Sequence, residues 1–210
     1  MLIVDKIKEH RNNVPKELEG IDELDSTTKD YMLYKFLKDN LNDYPYLLEE
    51  LPVYFMEEIL INEINSYNFE RYFTDNVIKK LNEGTGKLRT ILLNHIEYAN
   101  LIPKLTTEKN YMPSSIYFNN EEKWVSISKY LALFQSRYGK KELISFLNSF
   151  NDRNSCENLF KEMEDSDFFY NALFDDDDII ELVKGNFGKN LNNDSFSKLI
   201  SKMSSLDNPN

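Results

Sequence analysis

Nine carboxylates fall within twenty residues toward the end of the chain: Glu162, Glu164, Asp165, Asp167, Asp175, Asp176, Asp177, Asp178 and Glu181, with Lys161 the base beside them. Calcium is one chemistry to consider. An EF-hand loop, however, needs alternating aspartates, a glycine at its sixth position and a glutamate at its twelfth, and consecutive aspartates project in different directions. General acid/base hydrolysis needs a defined carboxylate pair, and no spacing here singles one out. Recognition of a basic surface is the third chemistry, and it fits a local charge of −9 over residues 157–181. Part of the run has a plainer role: "DDDD" stands immediately before "IIELVKG", where a helix dipole favours acidic residues at the N-terminus. Capping accounts for two or three aspartates, so the nine carboxylates together form the candidate partner-binding set.

Other residues able to do chemistry are sparse. Cys156 is the sole cysteine, so no intrachain disulfide or thiolate cluster can form, and it reads as a buried hydrophobe. His10 and His95 are the two histidines, far apart, with His95 on the face of a helix. There is no HExxH, GxSxG, Walker or GxGxxG pattern, and six glycines make a phosphate-cradling loop improbable. No catalytic residue, metal site or cofactor is expected.

The elements that must hold the acidic run are mostly helical, because apolar residues recur at spacings of three and four. With 210 residues, 41% hydrophobic and 13% aromatic, the chain can bury a real core. The fold class expected is mainly α, one compact multi-helix domain over 27–204, after an N-terminal segment 1–26 and before a tail 205–210. A subdivision is expected near 103–120, with a short extended piece near 111–118. A first helix opens at Thr27, whose spacing to Asp30 fits a capping box, and buries Tyr31, Leu33, Tyr34, Phe36, Leu37 and Leu41. Pro52 starts a second, which turns Glu57, Glu58 and Asn62 away from the core stripe. After an interruption at 65–68, a third runs to "GTG" at 84–86. Further helices are predicted over 87–102, 121–138, 140–150, 155–164, 166–174, 176–186 and 195–204.

Net charge is −11, with residues 39–75 and 157–181 holding more than all of it and 76–156 mildly basic. Direct binding to nucleic acid is disfavoured, and a basic partner is favoured. No stretch approaches the roughly 20 apolar residues of a membrane span, and the N-terminus lacks the apolar region of a signal peptide, so the chain reads as cytoplasmic with no membrane partner.

The interruption carries a resemblance. Residues 51–73, "LPVYFMEEILINEINSYNFERYF", resemble the signature of the DMP19-like (DUF4375) family: a Leu-Pro start, a helix closing in Glu-(Val/Ile)-Asn, two glycines, Phe, then Gln-Tyr-Phe. Leu51, Pro52, Glu63, Asn65, Phe69, Tyr72 and Phe73 match. Tyr67 and Asn68 stand at the glycines and Arg71 at the glutamine. Asn68 tolerates a positive φ well and Tyr67 poorly. "MEDSDFFYNALFDDDDIIELVKGNFGKN" is more distantly similar to the family's acidic C-terminal stretch. The resemblance implies an all-helical fold and, for the family's namesake, an acidic DNA mimic that occupies the DNA-binding surface of a transcription factor. The motif residues are expected to be structural: a tight helix junction, with Glu63 and Arg71 either paired across it or facing solvent.

A second reading uses the same chemistry. An immunity or antitoxin protein neutralising a basic toxin also needs an acidic patch ringed by aromatic anchors, here Phe168, Phe169, Tyr170 and Phe174. An orphan enzyme is a third class, and a homodimer is a further arrangement left open.

Overall fold

The computed structural model describes residues 2–11, 13–118 and 123–206. It is mainly helical, as expected, and the backbone groups into two units, Met1–Leu88 and Arg89–Asn210. The junction therefore falls at Leu88–Arg89, ahead of the 103–120 connection, which lies inside the second unit.

In the first unit, helix α1 (Ile3–His10) buries Ile3 and Ile7, and two 3-10 turns bury Leu18 and Ile21, so the N-terminal segment contributes to the unit's core. Asp22 accepts the Ile3 and Val4 N–H groups at 3.0 and 2.8 Å, and Lys29 pairs with it at 2.6 Å. Burial alone would raise the Asp22 carboxyl, but these donors hold it below its ordinary value. Lys6 of α1 is buried and clasped by Glu49 and Glu50 from the 3-10 turn Pro45–Glu50. Burial opposes the Lys6 ammonium, yet the two carboxylates win and raise its pKa.

Helix α2 (Ser26–Asn40) is capped by Asp25, whose carboxylate accepts the Thr28 N–H at 3.1 Å. The expected Thr27 cap is thus two residues too late. Leu33, Tyr34, Phe36, Leu37 and Leu41 are buried as predicted, but Tyr31 is exposed. Helix α3 (Val53–Asn62) follows Pro52, and helix α4 (Asp75–Asn82) is capped by Thr74.

Between α3 and α4 lies the interrupted motif. Glu63 closes α3 by donating its N–H to the Ile59 carbonyl, and the Ser66 N–H then turns back to the Glu63 carbonyl at 2.8 Å. Asn68 takes the left-handed conformation, φ 59° and ψ 42°, and starts the 3-10 turn Phe69–Tyr72. Tyr67 keeps a negative φ and is 95% exposed, so the turn places its one left-handed residue where an asparagine stands. Leu51, Phe69, Tyr72 and Phe73 are buried, with Phe69 edge-on to Tyr72 and Phe73 at 6.2 and 5.2 Å. Each such side chain contributes on the order of 1.5–3 kcal/mol by burial. Asn65 is exposed, and Arg71 binds Asn42 and the Tyr72 hydroxyl, so it does not pair with Glu63.

The second unit begins within helix α5 (Lys87–Leu92). The predicted helix 87–102 breaks here: His95 adopts φ −119° and ψ 88°, and 3-10 turns Ile96–Leu101 and Pro103–Leu105 follow. Ala99, Ile102 and Leu105 are still buried, because a spacing of three serves a 3-10 turn as well as a helix. Strands β1 (Ser115–Phe118) and β2 (Lys123–Ser126) pair antiparallel with Tyr117 opposite Trp124. β1 is the extended piece expected near 111–118. β2 replaces the start of the helix predicted from 121, of which residues 121 and 122 lie outside the described residues.

Ser126 then caps helix α6 (Ile127–Tyr138), and Gly139, at φ 96°, turns the chain into α7 (Lys140–Asn148). Helices α8 (Arg153–Asp165), α9 (Phe168–Asn171), α10 (Asp176–Lys184), α11 (Asn186–Lys189) and α12 (Asn193–Leu206) complete the unit. Its core is aromatic: Phe134 stacks on Phe146 at 4.7 Å, and Phe174 meets Phe168 and Phe169 at 6.1 and 5.8 Å. Of the predicted tail, 207–210 lie outside the described residues.

The left-handed Asn68 gives a direct test. Asn68→Gly is expected to keep or slightly raise stability, whereas Asn68→Val should lose about 1–2 kcal/mol from the left-handed penalty. Urea unfolding of the three proteins measures both.

Candidate functional site

The acidic run is spread over the end of α8, the short α9, the link 172–175 and the start of α10. Its members do different things. Asp175 caps α10: it accepts the Asp178 N–H at 3.0 Å, while the Asp178 carboxylate accepts the Asp175 N–H at 2.8 Å, a reciprocal capping box. Lys140, from α7, places its ammonium on both carboxylates and on the Leu173 carbonyl at 3.2 Å. Asp178 is buried. Glu164 faces Lys198 and Lys202 of α12 at 3.9 and 3.6 Å. These three members of the expected partner-binding set therefore also serve the fold.

Asp165, Asp167, Asp177 and Glu181 are exposed, and Glu162 and Asp176 are half-buried. None of these six carries an ion pair among the described residues. Asp176 keeps one carboxylate oxygen buried without a hydrogen-bond partner. The plain reading of "DDDD" as a helix start thus holds for Asp175 and Asp178, and the remaining charge projects outward.

Among the aromatic anchors expected beside the run, Phe168, Phe169 and Phe174 are core residues. Tyr170 is 68% exposed. Sequence periodicity missed a neighbour: Leu173 is 78% exposed and sits at φ 55°. A left-handed leucine costs about 1–2 kcal/mol. The link is held in that conformation by Lys140 on the Leu173 carbonyl and by Gln135, which donates to the Ala172 carbonyl at 2.8 Å. No local sequence signal marks Leu173, because both partners lie more than thirty residues away.

Cys156, His95 and His10 are the remaining chemistry-bearing residues. Cys156 is buried, and burial pushes its thiol up to about 12, which leaves it inert. His95 sits in the break after α5 and not on a helix face, with Nδ1 3.4 Å from Glu97. His10 stacks on Tyr46 at 4.0 Å and donates its Nδ1–H to the Lys6 carbonyl, beside a cleft of about 480 Å³ whose lysine is already matched by Glu49. Among the described residues, no three His, Cys, Asp or Glu side chains are grouped to hold a metal ion, and no helix is long and apolar enough to cross a membrane.

Compared with family models, curated proteins and solved structures, the chain matches none.

The α10 cap makes stability depend on acid. The Asp178 N–H and the Lys140 ammonium hold the Asp175 carboxyl below its ordinary value, so its contribution is present above the unfolded carboxylate range and is lost as pH falls through the depressed value. Asp175→Asn keeps a capping acceptor but not the charge. Its melting temperature should lie below that of the wild type near pH 6, and the gap should close as pH falls below about 4.

Proposed function

We propose that the second unit binds a basic protein surface through Asp165, Asp167, Asp177 and Glu181, with Tyr170 and Leu173 as its apolar anchors. The observation that carries this reading is Leu173. Its side chain is solvent-exposed in a conformation unfavourable for leucine, held by a lysine that also fixes the adjacent helix cap. Strain of this kind persists where surrounding structure over-determines it, and it clusters at binding and switch segments. Exposed carboxylates steer a basic partner over a distance of about a Debye length, and desolvated apolar anchors hold it.

Two partner classes meet that demand. The resemblance of residues 51–73 to the DMP19-like family supports a DNA mimic that occupies the DNA-binding surface of a transcription factor. The pairing of acid with two apolar anchors equally supports an antitoxin that blocks a basic toxin. No enzyme activity belongs to this reading, and a second copy of the chain is not needed for it.

The test is capture of basic proteins from a lysate of the native cell, with wild type compared to the variant Asp165→Asn, Asp167→Asn, Asp177→Asn, Glu181→Gln. Wild type should retain a basic protein in low salt and release it in high salt, and the variant should not retain it. Mass spectrometry of the retained protein then separates a DNA-binding regulator from a toxin. Retention of the same proteins by both forms removes the reading. Leu173→Gly separates binding from folding: it should raise stability by roughly 1 kcal/mol through relief of the left-handed strain and weaken capture of the same partner.

A further inference from the structure

A basic helix of the chain itself already lies against the acidic run. Helix α12 carries Lys198 and Lys202 one turn apart, and both ammonium groups approach Glu164 at the end of α8, at 3.9 and 3.6 Å. Lys202 also lies 5.9 Å from the centre of the Phe169 ring, and the next residue is the exposed Tyr170. Lys198 is held above its ordinary pKa by Asp194 first, at 3.1 Å, and then by the fields of Glu164 and Asp165. One of the four carboxylates of the proposed surface, Asp165, therefore already feels a lysine of α12.

The two ends of α12 are held differently. Glu157, half-buried on α8, accepts the Asn192 N–H, the Asn192 side-chain amide at 2.8 Å and the Ser195 hydroxyl at 2.7 Å, which pins the start of the helix. Beyond Ser195 the hold is lighter. Leu199 is the one fully buried side chain among the described residues of α12, with Phe196 and Met203 half-buried. The Lys198 and Lys202 side chains are 50% and 28% exposed, and ion pairs open to water hold weakly. A segment with few buried contacts opens at a lower free energy than the unit that carries it. The second half of α12 can leave while Glu157 keeps its first turn.

Covering the core does not require this arrangement. A helix needed only as a lid acts through its apolar stripe, and its lysines are then free to point along any part of the solvent arc. Lys198 and Lys202 are the only basic residues of α12, and their spacing of four puts them on one side of the helix. Both meet the same carboxylate of a neighbouring element. That is the contact expected of a basic partner, supplied from inside the chain.

We propose that the second half of α12 is a built-in competitor: Lys198 and Lys202 occupy Glu164 and screen Asp165, and a basic partner must displace them to engage the surface fully. The competition rests on the acidic surface proposed above and adds its regulation. Because the competitor is tethered, its effective concentration is high, so two weak pairs suffice to set a threshold. A partner shifts the helix only by the affinity it gains from the uncovered surface. Isolated single charges gain little, whereas several basic groups presented together gain Glu164 as well as the four exposed acids.

Fluorescence anisotropy of the full chain at low salt tests this with a labelled helical peptide of lysine and leucine, and with its glutamine–leucine counterpart as the uncharged match. Wild type should bind the lysine peptide and not the glutamine one. Lys198→Gln with Lys202→Gln should bind it about fivefold tighter, the worth of two exposed ion pairs. Lys129→Gln with Lys189→Gln changes net charge equally at exposed lysines outside α12, and its affinity should stay near that of wild type. With the lysine peptide bound to wild type, the amides of residues 199–203 should exchange hydrogen faster, and those of α10 should not. Equal affinity of the two double variants, or α12 exchange that is unchanged or slower, overturns the competition; the acidic surface itself still stands if the variant Asp165→Asn, Asp167→Asn, Asp177→Asn, Glu181→Gln loses the peptide. No binding of the lysine peptide to any form, or undiminished binding by that four-carboxylate variant, overturns the surface and the competition together.

Discussion

The first turn of every α-helix leaves backbone N–H groups without a partner, and a chain of short helices meets that demand many times. Here carboxylates meet much of it. Asp22 serves α1, Asp25 serves α2, Glu57 serves α5, Asp152 accepts the Ser155 N–H of α8 at 2.7 Å, and Asp175 with Asp178 closes α10. Glu108 reaches the Arg153 N–H from 45 residues away, and Glu157 accepts the Asn192 N–H just ahead of α12. Hydroxyls of Thr74 and Ser126 serve α4 and α6. Removing a buried cap such as Asp152 costs about 1 kcal/mol, so the set as a whole is comparable with a small domain's entire stability.

That demand changes the meaning of the net charge. An acidic composition suggests a surface made for a basic partner, yet Asp22, Asp25, Glu57, Asp152, Asp175 and Asp178 work inside the fold. Several are matched by bases: Lys29, seven residues on, pairs with Asp22, and Lys140, 35 residues before Asp175, pairs with Asp175 and Asp178. A charge count cannot distinguish a capping aspartate from one waiting for a ligand. What remains after capping is smaller: four exposed carboxylates of the second unit, Asp165, Asp167, Asp177 and Glu181, on the stretch of chain that also exposes Tyr170 and Leu173.

Sequence patterns revealed the parts of the fold that local rules determine. Helices α7, α8 and α10 lie where periodicity and caps put them, because both signals are read within a few residues. The motif at 51–73 also forms the tight junction its asparagines suggest, since a left-handed turn depends on one residue's tolerance. Non-local pairing hid the rest. β2 is defined by its pairing with β1, with Tyr117 opposite Trp124, and the break at His95 leaves the apolar spacing intact. The acidic run was visible, but its division was not: Lys140 decides which aspartates are structural, and it lies 35 residues before Asp175. Glu57 was misplaced for the same reason, since its partners are 28 and 31 residues away.

Asp165, Asp167, Asp177 and Glu181 are solvated, so in the proposed complex they would act through a screened field, gathering a basic partner while contributing little holding energy of their own. Holding would then fall to Tyr170 and Leu173, and this is why a strained, exposed leucine is informative beside an otherwise ordinary charged surface. Glu57 is the opposite case: it is buried and both its oxygens accept hydrogen bonds within the first unit, so it holds the fold and adds little to an exposed field. The hydrogen-bond partners of each carboxylate, more than their number, decide which acids hold the fold and which face solvent.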